Sequence, residues 1–215
     1  MLIGLFALGR FFLALAGMDI GTIFGGMGSS REMMISSLTE PSALLVLFVL
    51  AMAASSTNVS EIIRYLITNK LVFSPSFTFA FFAFVMITLA ETGRIPIDNP
   101  ATHLELTMTH EAMILEYTGR YLALIEWASQ LKLMLYFVLI SNLFFPWGMA
   151  TNLSLTNLAS GFLIIIVKLA IGGTLLIAIE TGLAKMRLFR APYFLGIAFV
   201  LCLLAILSQV ILGAG

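Results

Sequence analysis

Five carboxylates, Glu91, Asp98, Glu105, Glu111 and Glu116, fall in the stretch ETGRIPIDNPATHLELTMTHEAMILEYTG between Glu91 and Gly119. Arg94, His103 and His110 stand among them, and hydrophobic sequence flanks the stretch on both sides. A chain with only eleven acidic side chains has no solubility reason to gather five of them in one place. Carboxylates and imidazoles at this density can pass protons, hold ion pairs or form a charged face for a partner. More ionisable groups sit inside the flanking apolar runs: Glu40, Glu126, Lys132, Lys168 and Glu180. Ionisable groups at membrane depth are costly, so they mark an ion path, a proton relay or an interhelical pair. Burial penalises charge on a lysine and on a glutamate alike, which brings the two toward proton exchange. Static pairs of Lys132 and Lys168 with Glu126, Glu40 or Glu180 would use the same residues. A string of several charged sites favours conduction.

What must position these groups is a set of membrane helices. The chain is 60% hydrophobic and 10% charged, with a mean hydropathy of +1.07, against roughly 45–50% and 25% in soluble domains. It reads as an all-α integral membrane protein, a polytopic bundle forming a single membrane domain over 1–215. Taking about 20 residues per crossing, six spans are expected, at approximately Met1 to Ala16, Ile35 to Ser55, Phe73 to Ala90, Gly119 to Phe145, Leu158 to Glu180 and Tyr193 to Leu212. No period-two alternation over repeated ten-residue segments supports a transmembrane barrel. The first span reaches only about 24 Å, and Arg10 lies inside it, needing a partner or an aqueous cavity. An N-terminus further upstream is the expectation. A signal peptide ending near Ala14-Leu15-Ala16 competes, but it lacks a basic leading segment and Arg10 interrupts its apolar core.

The Lys/Arg bias orients the spans. With the Glu91–Gly119 loop cytoplasmic, Arg31, Arg94, Arg120, Lys185, Arg187 and Arg190 fall on or near that side, and Arg64 and Lys70 opposite. Trp147 reads as an interfacial anchor. Within the loop, Pro96 and Pro100 keep the chain out of helix, and Asn99 is a plausible N-cap for a helix reaching about Leu115. If that helix is continuous, Glu105 and Glu116 share a face. Asp98 is placed to pair with Arg94. The segment Gly17 to Ser30, rich in glycine, reads as a flexible turn, with close backbone approach to a partner or ligand as the alternative. The segment Ser55 to Ser74 reads as an outer amphipathic stretch.

Other chemistries find no support. The formal net charge of zero argues against nucleic acid, which demands a basic surface. One cysteine, Cys202, makes no intrachain disulfide, zinc site or iron–sulfur cluster. His103 and His110, two helical turns apart, do not closely chelate one metal. Nucleotide-binding, metalloprotease and hydrolase motifs are absent, and no internal repeat suggests an inverted-repeat transporter.

The string Glu91-Thr92-Gly93-Arg94-Ile95-Pro96-Ile97-Asp98-Asn99-Pro100, followed by Glu105 and Glu116-Tyr117-Thr118-Gly119, resembles the signature loop of the NADH dehydrogenase subunit 1 family, the complex I membrane subunit at the junction with the peripheral arm. Arg31 and Glu40-Pro41 match a second patch. The two histidines and the spacing from Glu105 to Glu116 are similar to the hydrogenase branch, typified by formate hydrogenlyase subunit 4 and hydrogenase-4 component C. Family members usually have eight spans, of which this chain matches the last six.

The resemblance implies a subunit of an oxidoreductase complex with no redox centre of its own. It implies a multi-pass position in the cytoplasmic (inner) membrane, with the 91–119 loop docking a peripheral arm. Expected partners are the hydrogenase large and small subunits, carrying a nickel–iron centre and iron–sulfur clusters, and antiporter-like membrane subunits. Arg94, Asp98, Glu105, Glu111, His103, His110 and Arg31 would form the docking face. Glu91, Glu116, Glu126, Glu40, Lys132, Lys168 and Glu180 would form the proton path. The alternative within the family is a complex I subunit that admits quinone. A secondary ion-coupled transporter is the alternative from another class.

Overall fold

The structure is a computed structural model that describes residues 1–69, 74–94, 109–149, 154–182 and 191–213. Its regular elements are helices: α1 (Leu2–Asp19), α2 (Ile23–Ala54), α3 (Val59–Asn69), α4 (Pro75–Glu91), α5 (His110–Ile114), α6 (Gly119–Leu143), α7 (Leu155–Gly182) and α8 (Ala191–Gly213). No strand occurs among the described residues. This is what a bilayer demands, because an isolated strand would leave backbone groups unpaired in hydrocarbon. Among the described residues, α2, α6, α7 and α8 are long and apolar enough to cross a membrane, and α4 is a shorter apolar helix. α1 is also helical, so a helix stands at each of the six expected span positions. α3 occupies the expected amphipathic stretch between the second and third.

The glycine-rich segment is not a flexible turn. α1 continues to Asp19 and α2 begins at Ile23 rather than near Ile35, so Gly25, Gly26 and Gly28 are helical. Only Gly21, at φ +70°, makes the turn, and Thr22 caps α2 by accepting a hydrogen bond from the Gly25 amide at 3.2 Å. The glycines let backbones touch: a Cβ on Gly25 would lie 2.2 Å from the Gly17 carbonyl oxygen, and one on Gly28 2.9 Å from that of Thr109. Small residues at a helix crossing are a membrane packing device, although their composition imitates a loop. Ser29 completes the crossing, donating from Oγ to the Ala14 carbonyl at 2.9 Å. Ser29→Ala should therefore cost roughly 0.6–1 kcal/mol, read from denaturation of the purified chain in mild detergent.

Of the pair Glu105 and Glu116, expected to share a face of one continuous helix, only Glu116 is described. The described helix, α5, ends at Ile114, and Glu116 lies beyond it, exposed. Asn99, the expected N-cap, lies outside the described residues, as do Asp98, His103 and Glu105. α5 rests on the glycine surface, where Ala112 and Met113 meet Gly28 and Gly17. Tyr117 ties the following turn to α1 by donating to the Ala16 carbonyl at 3.3 Å.

The core joins α2, α4 and α8. Ala80 and Ala83 of α4 and Ala198 and Ala205 of α8 are fully buried beside Val46, Val49 and Leu50 of α2. Pro41 sits inside α2 without ending it, as membrane helices tolerate where neighbours and hydroxyls satisfy the backbone. Cys202 is a packed core residue whose thiol donates to the Ser42 carbonyl at 3.4 Å. α6 reaches the core through Tyr136 and Leu143, with Tyr136 stacked on Phe6 of α1 at 5.0 Å. α7 leans on α6, and no residue of its most apolar stretch is buried.

Candidate functional site: a buried ion cluster beside a polar cavity

Arg10 lies near the middle of apolar α1, yet its side chain is only 2% exposed. Two helices, α2 and α4, supply its partners. Its Nη2 donates to Glu91 Oε2 on α4 at 2.6 Å and approaches the Glu91 carbonyl at 3.4 Å. Nη1 donates to Thr39 Oγ1 on α2 at 2.9 Å, and Thr39 passes a hydrogen bond to the Ile35 carbonyl at 3.2 Å. Nε stands 3.0 Å from Glu32 Oε1. That contact is Coulombic, since the Nε–H makes no well-directed hydrogen bond. A planar guanidinium can engage several groups at once in this way, where an ammonium is a single point charge.

Glu91 receives a second cation. Lys132 Nζ on α6 lies 2.9 Å from the same Oε2, and Tyr136 and Thr39 also approach the carboxylate. Arg10, Glu32, Glu91 and Lys132 thus make a charge-balanced group of two cations and two anions contributed by four helices. Balance is what allows it to exist, because one uncompensated charge at this depth costs several kcal/mol.

Next to the cluster a cavity of about 470 Å³ opens between the end of α4, α5 and the first turns of α6. Its polar lining includes Arg94, His110, Glu111, Glu126, Ser129 and Gln130. Thr92, the residue after Glu91, also borders it. Arg94 reaches across to Glu180 at the end of α7, 3.5 Å away.

The structure therefore gathers Glu91 and Lys132 into the cluster, and Arg94, His110, Glu111 and Glu126 around the cavity, with Glu180 tied in through Arg94. Arg31 is half-buried on α2. The remaining residues lie elsewhere. Glu40 accepts a hydrogen bond from Ser36 in a separate groove of about 350 Å³ between α1 and α2. Among the described residues Lys168 meets none of the carboxylates expected for it: its Nζ donates to the Phe145 carbonyl at 2.6 Å, a cation placed where the end of α6 presents negative charge. Lys132 likewise pairs with Glu91 instead of Glu126, Glu40 or Glu180.

Two members of the cluster escape a reading of the sequence. Glu32 stands beside Arg31 and the glycine-rich segment, where it looks like a solvated loop charge, and Tyr136 looks like one more core aromatic. The usable signal was Arg10, a charge in an apolar run that required an anion.

A bundle of apolar helices that buries an ion cluster beside a charged cavity defines an integral membrane protein of the helical-bundle class. The chain belongs to the NADH dehydrogenase family: the family model of that description matches residues 1–212. It is 33% identical over 207 residues to formate hydrogenlyase subunit 4 of Escherichia coli (strain K12), covering 96% of this chain and 66% of that protein. It is 36% identical over 208 residues to hydrogenase-4 component C of the same organism, covering 95% and 64% respectively. The chain thus spans just under two thirds of the length of these relatives.

Proposed function

We propose that this chain is the membrane-anchoring and proton-coupling subunit of a membrane-bound [NiFe] hydrogenase complex of the formate hydrogenlyase or hydrogenase-4 kind. In this reading the 91–119 loop faces the cytoplasm and docks the peripheral hydrogenase subunits. The chain carries no redox centre, and antiporter-like subunits are its neighbours in the membrane. The observation that carries the reading is the junction itself: the helix that leads into the charged loop ends on Glu91, inside the buried cluster. A change of charge at the docked face is felt by ionisable groups at this distance, because they sit in low dielectric with little water to screen them. The kinship to a formate hydrogenlyase subunit and to a hydrogenase-4 component supports the same reading.

Docking is tested at Arg94. Arg94→Met removes the bond to Glu180 and a cation of the cavity wall. The expected result is a severalfold fall in nickel retained per chain after affinity purification in mild detergent. An unchanged nickel ratio overturns the docking role. A second reading, the quinone-site subunit of a complex I, is favoured by the size of the cavity, since pockets of roughly 300–1,000 Å³ hold small organic ligands. Co-purification of quinone in place of nickel would decide for it.

A further inference from the structure

We infer that Lys132 is the group of the buried cluster that exchanges a proton with the cavity, and that Glu91 is its fixed counter-ion. This rests on the proton-coupling reading and assigns the carrier within it.

The first observation is the doubling of cations on one oxygen. Arg10 and Lys132 both contact Glu91 Oε2, at 2.6 and 2.9 Å. Arginine keeps its charge under all ordinary conditions. If Glu91 took up a proton, two adjacent cations would be left facing each other, opposed by Glu32 and at longer range by Glu40. If Lys132 releases one, the Arg10–Glu91 pair and the Arg10–Glu32 contact both survive. Either step leaves one net charge, but loss from Lys132 keeps every contact of Arg10 in place, whereas gain by Glu91 removes the anion that both cations share.

The second observation is access. Side-chain exposure is 2% for Arg10, 4% for Glu91 and 13% for Glu32, but 22% for Lys132. Lys132 is the most exposed of these four side chains, although it does not itself line the cavity. The charged groups that face it are Glu91 from α4, Arg10 from α1 and Glu32 from α2.

The third is a route. Glu126, Ser129, Lys132 and Tyr136 follow one another on α6 in steps of three and four residues, with Glu126 and Lys132 about 120° apart around the helix. Glu126 and Ser129 line the cavity, while Lys132 and Tyr136 meet Glu91. From Glu126 to Lys132 is about 9 Å along the helix axis, a span that Ser129 and water of the cavity can bridge. In the transfer an Nζ–H bond of the Lys132 ammonium breaks and its proton passes through that water to the Glu126 carboxylate. The products are a neutral amine and a neutral acid, and the return step restores both charges.

The test is solid-state NMR of the full chain in lipid bilayers with ¹⁵N-labelled lysine. Lys132→Arg identifies the Lys132 signal by its disappearance. The expected result is that this signal converts from ammonium to amine as pH is raised, while infrared spectra with Glu91→Gln as reference show the Glu91 carboxylate ionised throughout. A Lys132 that stays ammonium while Glu91 takes up a proton overturns the inference. In vesicles bearing the whole complex, Lys132→Arg and Lys132→Met should both lower protons moved per turnover toward zero. Rescue by arginine would show a merely structural cation. The NMR titration needs no turnover, so it decides the role of Lys132 even where wild-type vesicles move no protons, the outcome that instead sinks the coupling reading.

Discussion

Arg10→Met is expected to destabilise the chain by about 3–5 kcal/mol, the range found when one partner of a buried ion pair is removed. The loss has a definite origin. Glu91 would keep Lys132, but Glu32 would lose its 3.0 Å cation and Thr39 the donor that now binds its hydroxyl. Two carboxylates would then share one cation at a depth where little water reaches them. Equilibrium denaturation in mild detergent measures the effect. Adding Glu32→Gln to Arg10→Met should recover part of the loss, because a neutral amide needs no counter-charge. The double-mutant cycle should return a coupling of at least about 0.5 kcal/mol, as for residues in one ion network. A single-variant loss below about 1 kcal/mol would mean that the cluster is hydrated and does not hold the helices together.

The second large effect is expected at the crossing of α1 and α2. A Cβ on Gly25 would stand 2.2 Å from the Gly17 carbonyl oxygen, an atom of the backbone that cannot rotate away. Gly25→Val should force the helices apart, losing about 1–3 kcal/mol or more through overpacking. It should also carry Arg10 away from Glu32 and Thr39, which ride on α2. Gly26 is the control: a Cβ there meets nothing within 4 Å. Gly26→Ala should gain about 0.5–1 kcal/mol from helix propensity. If both variants behave alike in the same denaturation assay, close approach at Gly25 is not what holds the crossing.

These two sites also mark how far the sequence was readable. Long apolar runs announce helices with no help from tertiary structure, because in hydrocarbon the backbone must satisfy itself. The expected spans accordingly coincide with α1, α2, α4, α6, α7 and α8. The start of α2 was hidden because glycine and serine signal turns in water and tight helix contacts in membranes. Losing those turns from the helix meant losing Glu32 as a partner for Arg10. Pairings failed for a different reason. Lys132 and Lys168 announced a need for negative charge, yet which group answers depends on how helices far apart in sequence meet. For Lys168 the answer was a backbone carbonyl, which every residue carries and no composition reveals. Membership of the NADH dehydrogenase family was legible in the Glu91–Gly119 string, since that string is a linear pattern.

Pro41 has a mechanical consequence. At 32 residues α2 is about 48 Å long at 1.5 Å per residue, well beyond a hydrocarbon core of about 30 Å. Proline has no amide hydrogen to offer the Ser37 carbonyl one turn earlier, so the rod bends most cheaply there. On one side of that joint are Gly28, Glu32, Thr39 and Glu40; on the other, Val46, Val49 and Leu50 are clamped in the core. α2 thus has a short arm clamped in that core and a long arm held at Ile35 against Ala90, Ala191 and Leu195. Its long arm bears α5 at the tip and two contacts of Arg10 along its length.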